Sequence, residues 1–274
     1  MRNVRQKKNK DNQSIIQKNF SLRRNRIKQL IKGDIAIFPA ALESISSRDV
    51  HNPYRQNSDF FYLTGIDESQ CLIALKGSAK GTRSILYLRE RNPDLEQWNG
   101  ETIGINRAKR KFQFDEIKPI QDFILDFPKL ASGCQNLYFA PGTDPSIDSL
   151  VWDLFKSPTG PQSKFPNAII DSRTITAPMR LHKDKLEIKR IEHAVNISVK
   201  SFIALYKEIS KCSSELHAAK ILESNFAKNG GSNLAFPTIV ASGKNATCLH
   251  HQPTMQPLWS KELVLIDAGA RHEG

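Results

Sequence analysis

The strongest signal in the order of apolar and polar residues is helical. Ile188, Ile191, Val195, Val199, Phe202, Leu205, Tyr206 and Ile209 recur at steps of three and four, and Asp184 with Glu187 supplies a capping-box start. A second helix is predicted from Ser214, whose hydroxyl can accept from free backbone N–H groups, through Leu216, Ala219, Leu222 and Phe226 to the stop at Gly230 and Gly231. Near the start, Phe20, Ile27, Leu30 and Ile31 fit one side of a helix that ends at Gly33, with Arg23, Arg24, Arg26 and Lys28 around it. Apolar runs of strand length fall at residues 35–38, 60–64, 71–75, 84–88, 137–140 and 168–170, and again at 238–241 and 263–268. Shorter helical patterns cover 107–112 and 146–156, and the proline-rich stretch 157–166 reads as a loop. Mixed strands and helices of this kind predict an α/β chain.

The same pattern divides the chain. Residues 1–18 lack apolar periodicity and read as a basic flexible extension, 19–176 as a first α/β domain, and 177–274 as the opening part of a second. Helix, helix, strand, turn, strand begins that second domain, and the sequence stops while it is still being built.

Charge changes this picture only locally. The chain of 274 residues has a formal charge of +12, but eleven basic residues and one acid, Asp11, fall within residues 1–32. That leaves 29 basic and 27 acidic residues for the rest, which is electrically ordinary. The basic helix face is either solvated or a contact for RNA, a membrane surface or an acidic partner. No run approaches the roughly 18 to 20 apolar residues of a membrane span, and the basic start is not followed by the apolar segment of a secretory signal. Cys71, Cys134, Cys212 and Cys248 form no CxxC pair, so reduced thiols in the cytoplasm are expected.

Two segments could carry chemistry. In SGKNATCLHHQP, residues 242–253, His250 and His251 are adjacent on a stretch expected to be extended, so only one of them can face a given site. On its own, a histidine here is more often a packed or surface residue than a catalyst. In ELVLIDAGA, residues 262–270, Asp267 ends an apolar strand, where a carboxylate must be paired, hydrogen-bonded or bound to a metal. Manganese and magnesium prefer such oxygen ligands, but a single carboxylate cannot hold them.

Four segments together bear a family resemblance. YRQNSDFFYLTGI (54–66), MRLHKDKLEIKRIEHA (179–194), PTIVASGKNATCLHHQP (237–253) and KELVLIDAGARHEG (261–274) resemble bacterial aminopeptidase P, in matching order along nearly the whole chain. The resemblance implies a creatinase-like N-terminal domain, a mixed sheet with helices, followed by an incomplete pita-bread α+β catalytic domain. It also implies a cytoplasmic metallopeptidase that removes the first residue from peptides whose second residue is proline. Asp267 matches the first metal-ligand aspartate of a two-manganese site, and His250 the histidine that contacts substrate and the developing oxyanion. Trp98 and Asp49 match positions that in family homo-oligomers lie near a neighbouring subunit's active site; a buried tryptophan and a turn aspartate explain them as well. Where the family has a tyrosine after the His250 equivalent, this chain has His251. A second aspartate, a histidine and two glutamates of the metal set are expected beyond Gly274, so the chain as given is expected to be inactive. Prolidase is a close relative. The rival class is a non-catalytic binding protein that uses the basic tail and first domain to grip RNA or an oligomer partner, with nucleic-acid contact expected to be no more than non-specific.

Overall fold

A computed structural model describes residues 2–77, 82–156 and 165–273. It divides into two compact units, Met1–His182 and Lys183–Gly274. The first contains, in order, α1 (Arg2–Leu30), β1 (Ile35–Pro39), β2 (Ile45–Ser47), β3 (Val50–His51), α2 (Ser58–Thr64), β4 (Cys71–Lys76), β5 (Arg83–Leu88), α3 (Pro93–Asn99), α4 (Gly104–Lys111), β6 (Glu116–Pro119), α5 (Asp122–Ala131), β7 (Asn136–Tyr138), α6 (Pro145–Lys156), β8 (Ala168–Ile170) and α7 (Arg173–Leu181).

Six of these strands form one mixed sheet in the order β6-β5-β4-β1-β7-β8. The three middle strands pair antiparallel, and parallel pairs flank them. Their apolar runs do not alternate with polar residues because both faces are covered. Ala36, Phe38, Ile73, Leu75, Leu86 and Leu88 point to one core, with Ile27, Phe60 and Met179. Ile35, Ile37, Leu72, Ala74, Ile85 and Tyr87 point to the other, with Phe123, Phe127 and Val151. Lys76 closes the second layer by donating from Nζ to the carbonyls of Leu130 and Ser132 at the C-terminal end of α5, 2.5 and 3.1 Å away.

Three expectations change here. Residues 60–64, expected as a strand, belong to α2, because Asn57 accepts from the N–H groups of Asp59 and Phe60 at its start and Gly65 ends it at φ 65°. A helix cap at each end overrides an aromatic-rich composition that suits a strand. Residues 2–18, expected as a flexible extension, form the first part of α1. The domain boundary expected at 176/177 falls at His182/Lys183, since α7 packs Ile175 and Met179 into the first unit's core. The expected loop at 157–166 lies mostly outside the described residues.

The basic face of α1 is also not what its charge suggested. Arg23, Arg24 and Lys28 are buried. Arg23 Nη1 donates to the Tyr62 carbonyl at 2.9 Å, with its guanidinium 4.0 Å from the Tyr62 ring centroid. Arg24 donates to the carbonyls of Leu63, at 2.7 Å, and Gln113, and lies 3.9 Å from the Phe114 ring centroid. Burial, only partly offset by Asp115, lowers its guanidinium to about 10. The bonds to Tyr62 and Leu63 serve the last carbonyls of α2, which would otherwise be unsatisfied in the interior.

The second unit contains α8 (Lys185–Glu208), α9 (Glu215–Lys228), β9 (Asn233–Leu234), β10 (Ile239–Ser242), β11 (Val264–Asp267) and β12 (Ala270–Arg271), with single 3-10 turns at Ile209–Lys211 and Gly243–Thr247. The capping box is present: Asp184 accepts from Leu186 and Glu187, and Glu187 accepts from the Asp184 N–H. Ser214 caps α9 by accepting from His217 N. β10 pairs antiparallel with β11, and β9 with β12. Ile197, Leu205, Ala219, Leu222, Phe226 and Val240 form the core. The apolar stripe predicted for α8 is divided. Leu205 is buried, whereas Ile188, Ile191, Val195, Val199 and Tyr206 are exposed along a groove or beyond it.

Candidate functional site

Asp267 is the last residue of β11, opposite Ile239 of β10. Along β11 the side chains alternate, Val264 and Ile266 half-buried and Leu265 and Asp267 exposed. The two-residue strand period places Asp267 on the open face. The desolvated strand-end carboxylate expected from the sequence is therefore replaced by a solvent-facing one, available to a cation without first losing a protein partner.

The segment that leaves β10 is bonded at both ends to Glu215. It is a 3-10 turn followed by irregular chain, and not the extended stretch expected around His250. Glu215, the first residue of α9, is fully buried, with five donors on its carboxylate. Oε1 accepts from Ser242 N at 2.8 Å and Asn245 Nδ2 at 2.9 Å. Oε2 accepts from His251 Nε2 at 2.9 Å, Thr254 N at 3.1 Å and Thr254 Oγ1 at 2.8 Å. Burial alone would raise this carboxyl, but the donors of Asn245, His251, Ser242 and Thr254 outweigh it and lower it to about 2. An ionised carboxylate only accepts, so His251 carries its proton on Nε2.

The two histidines are separated, though by the hydrogen bond of His251 to Glu215 and not by the strand alternation expected. His251 turns inward to Glu215, with 13% of its side chain exposed, and His250 is exposed at the turn before it. Nothing in the apolar pattern singled out Glu215. The only available sign was an acid directly after the N-cap serine, which reads equally well as favouring the helix dipole.

The two remaining sequence candidates belong to the first unit. Trp98 lies on α3, a helix that buries none of its residues, and is 86% exposed, so the buried-tryptophan explanation fails. The helix is nonetheless well fixed. Asn92 caps it, Pro93 occupies its first turn, and Glu96 accepts from Arg91 Nε and Nη2 and from Thr102 N and Oγ1. The Arg91 hydrogen bonds lead in holding the Glu96 carboxyl down to about 2. Asp49 is exposed in the two-residue turn between β2 and β3.

The motif at 54–66 proves to be a framework. Gln56 accepts from Ala41 N and Asn57 N through Oε1 and donates to the carbonyls of Ile66 and Glu68. Asp59 accepts from Arg180 Nη1 at 2.5 Å and Thr176 Oγ1 at 2.9 Å, which joins this motif to the one beginning at Met179. Gly65 faces the Phe20 ring so closely that a Cβ would stand 2.2 Å from it.

Among the described residues no group of three or more His, Cys, Asp or Glu side chains could hold a metal ion. Asp267 offers suitable oxygen chemistry but has no second ligand there, so a metal does not fit this set as it stands. No helix among the described residues is long and apolar enough to cross a membrane.

Comparison with known proteins gives the following. Residues 20–138 match the family model described as aminopeptidase P, N-terminal domain, and residues 189–274 match metallopeptidase family M24. The chain is 30% identical over 252 residues to the Xaa-Pro aminopeptidase of Escherichia coli, covering 90% of this chain and 57% of that protein. The structure of Pseudomonas aeruginosa aminopeptidase PepP aligns with a TM-score of 0.84 and 32% identity, over 94% of this chain and 59% of that one. Aminopeptidase P from E. coli with the inhibitor Pro-Leu aligns with a TM-score of 0.84 and 30% identity, over 94% of this chain and 60% of that one. The chain thus spans less than two thirds of the length of the relatives it matches.

Proposed function

Because this chain belongs to the aminopeptidase P family, with that family's N-terminal domain followed by part of an M24 peptidase domain, we propose that its activity is that of a cytoplasmic Xaa-Pro aminopeptidase. The substrate is a peptide with proline second, and the scissile bond is the one before that proline. One observation carries the reading. Asp267 and His250 are exposed while their neighbours Ile266 and His251 turn inward, so the two residues matched to family roles are the ones left open to a substrate. The inhibitor complex of the E. coli relative, a proline-containing dipeptide, supports the substrate class.

In this reading Asp267 is one oxygen ligand of a two-manganese site whose other ligands the described residues do not supply. Manganese would provide Lewis-acid activation when bound. His250 would donate a hydrogen bond to the oxyanion that develops on the carbonyl of the first residue. Trp98 and Asp49 would reach the active site of a neighbouring copy in a homo-oligomer. The basic-tail alternative loses part of its basis, because Arg23, Arg24 and Lys28 are used inside the first unit.

The 274-residue chain, assayed with an Xaa-Pro-Xaa peptide and added manganese, is expected to bind metal weakly and release no amino acid. Robust turnover would overturn the assignment of the missing ligands. A longer chain that adds an aspartate, a histidine and two glutamates is expected to release the first residue. Cleavage confined to Xaa-Pro dipeptides would instead favour a prolidase.

A further inference from the structure

The segment that bears His250 is closed at both ends onto the first turn of α9. At its start, Ser242 N and Asn245 Nδ2 converge on Glu215 Oε1. At its end, His251 Nε2 and both donors of Thr254 converge on Oε2. The backbone adds two bonds, from Glu215 N to the Gln256 carbonyl and from Leu216 N to the Thr254 carbonyl. Thus one carboxylate fixes chain on both sides of His250, while the imidazole of His250 itself faces solvent.

We propose that Glu215 is the positioning residue for His250. A buried charge is a poor source of net stability, since an apolar side chain of similar volume fills such a space as well. What an ionised carboxylate supplies, and an apolar side chain does not, is an anchor for five donors from four residues at set directions. By locking His251 inward it leaves His250 as the exposed one of the two adjacent histidines. The proposal rests on reading His250 as the substrate-facing histidine.

The test uses the 274-residue chain with Glu215→Gln, which keeps the shape but turns one acceptor into a donor facing other donors. Side-chain nitrogen NMR of the unaltered chain is expected to show His251 fixed with its proton on Nε2, and diethyl pyrocarbonate to modify His250 well ahead of His251. In Glu215→Gln the fixed tautomer is expected to be lost and the two histidines to react at similar rates. Exchange of the Ser242 and Thr254 amides is expected to speed by about tenfold to a hundredfold, the loss of one or two charge-assisted hydrogen bonds. The amide of Leu222 is expected to keep its protection. An unchanged tautomer and reactivity ratio would overturn the proposal, and so would uniform loss of protection across α8 and α9, which marks a purely structural role. Thr254→Val removes a single donor and is expected to move the same readouts the same way by several-fold, so the proposal remains testable even where Glu215→Gln does not fold. None of these measurements needs turnover, so their failure and the failure of the peptidase reading are separable.

Discussion

The middle strands of the first unit and the strand that ends at Asp267 are built from similar residues but meet different surroundings. CLIAL in β4 and IAIFP in β1 are runs whose side chains are buried on both faces of the sheet. VLID in β11 has half its side chains exposed, and α8 beside it leaves Val195 and Val199 about half open. In the first case, apolar side chains are used up in making a core. In the second, an exposed carboxylate and imidazole stand beside a core, and the segment bearing the imidazole is held by directed polar bonds to Glu215. Burial therefore marks where the fold is held, and its absence marks where chemistry is left accessible.

This contrast gives graded expectations. The largest effect is expected for Phe127→Ala, in a fully buried position stacked on Phe123 with ring centroids 5.2 Å apart. Urea unfolding should show a loss of about 3–5 kcal/mol for the first unit, as is usual for deleting a core aromatic. Arg24→Met is next. The buried Leu63 carbonyl and the part-buried Gln113 carbonyl lose their donor, and a loss of about 1–3 kcal/mol is expected in the same titration. A value near zero would mean that α1 is not needed to satisfy α2.

A smaller, pH-dependent effect is expected in the second unit. The folded Glu215 carboxyl is lowered to about 2 from its ordinary value, so its contribution is fully present above the unfolded carboxylate pKa and lost as pH falls through the folded one. On the order of 2 kcal/mol should disappear between roughly pH 4.5 and pH 2, followed by hydrogen exchange of the Ser242 and Thr254 amides. Glu215→Gln should flatten that dependence. The smallest effect is expected for Val199→Ala on the open side of α8, within about 0.5 kcal/mol by thermal unfolding. A loss as large as that of Phe127→Ala would show that this face is covered in solution.

Periodicity identified α8, α9 and their caps because those signals are local: a capping box at Asp184 and Glu187, a serine at 214 and a glycine pair at 230 and 231. The strand runs of β1, β4 and β5 were equally plain, since burial on both faces makes them continuously apolar. The region 60–64 was misread because Phe, Phe, Tyr and Leu suit either state and the deciding bonds come from Asn57 and Gly65 at its ends. α5 escaped notice because Pro128 interrupts its helical pattern. At the candidate site, His250 and Asp267 could be named from motif, whereas the inward turn of His251 depends on its bond to Glu215 and not on the extended chain expected there. Glu215 could not, because its donors come from residues 27 to 39 positions away.

The bond between Asp59 and Arg180 spans 121 residues, and Tyr62 Oη reaches the Met179 carbonyl across 117. Synthesis proceeds from the N-terminus, and domains generally fold as units as they emerge. The sheet of the first unit can assemble once β8 has left the ribosome, but α2 acquires its last partners only when α7 follows. A nascent chain stopped before Thr176 would expose Asp59 without its hydroxyl and guanidinium donors. The first unit therefore closes its bonding only with its own last helix, α7.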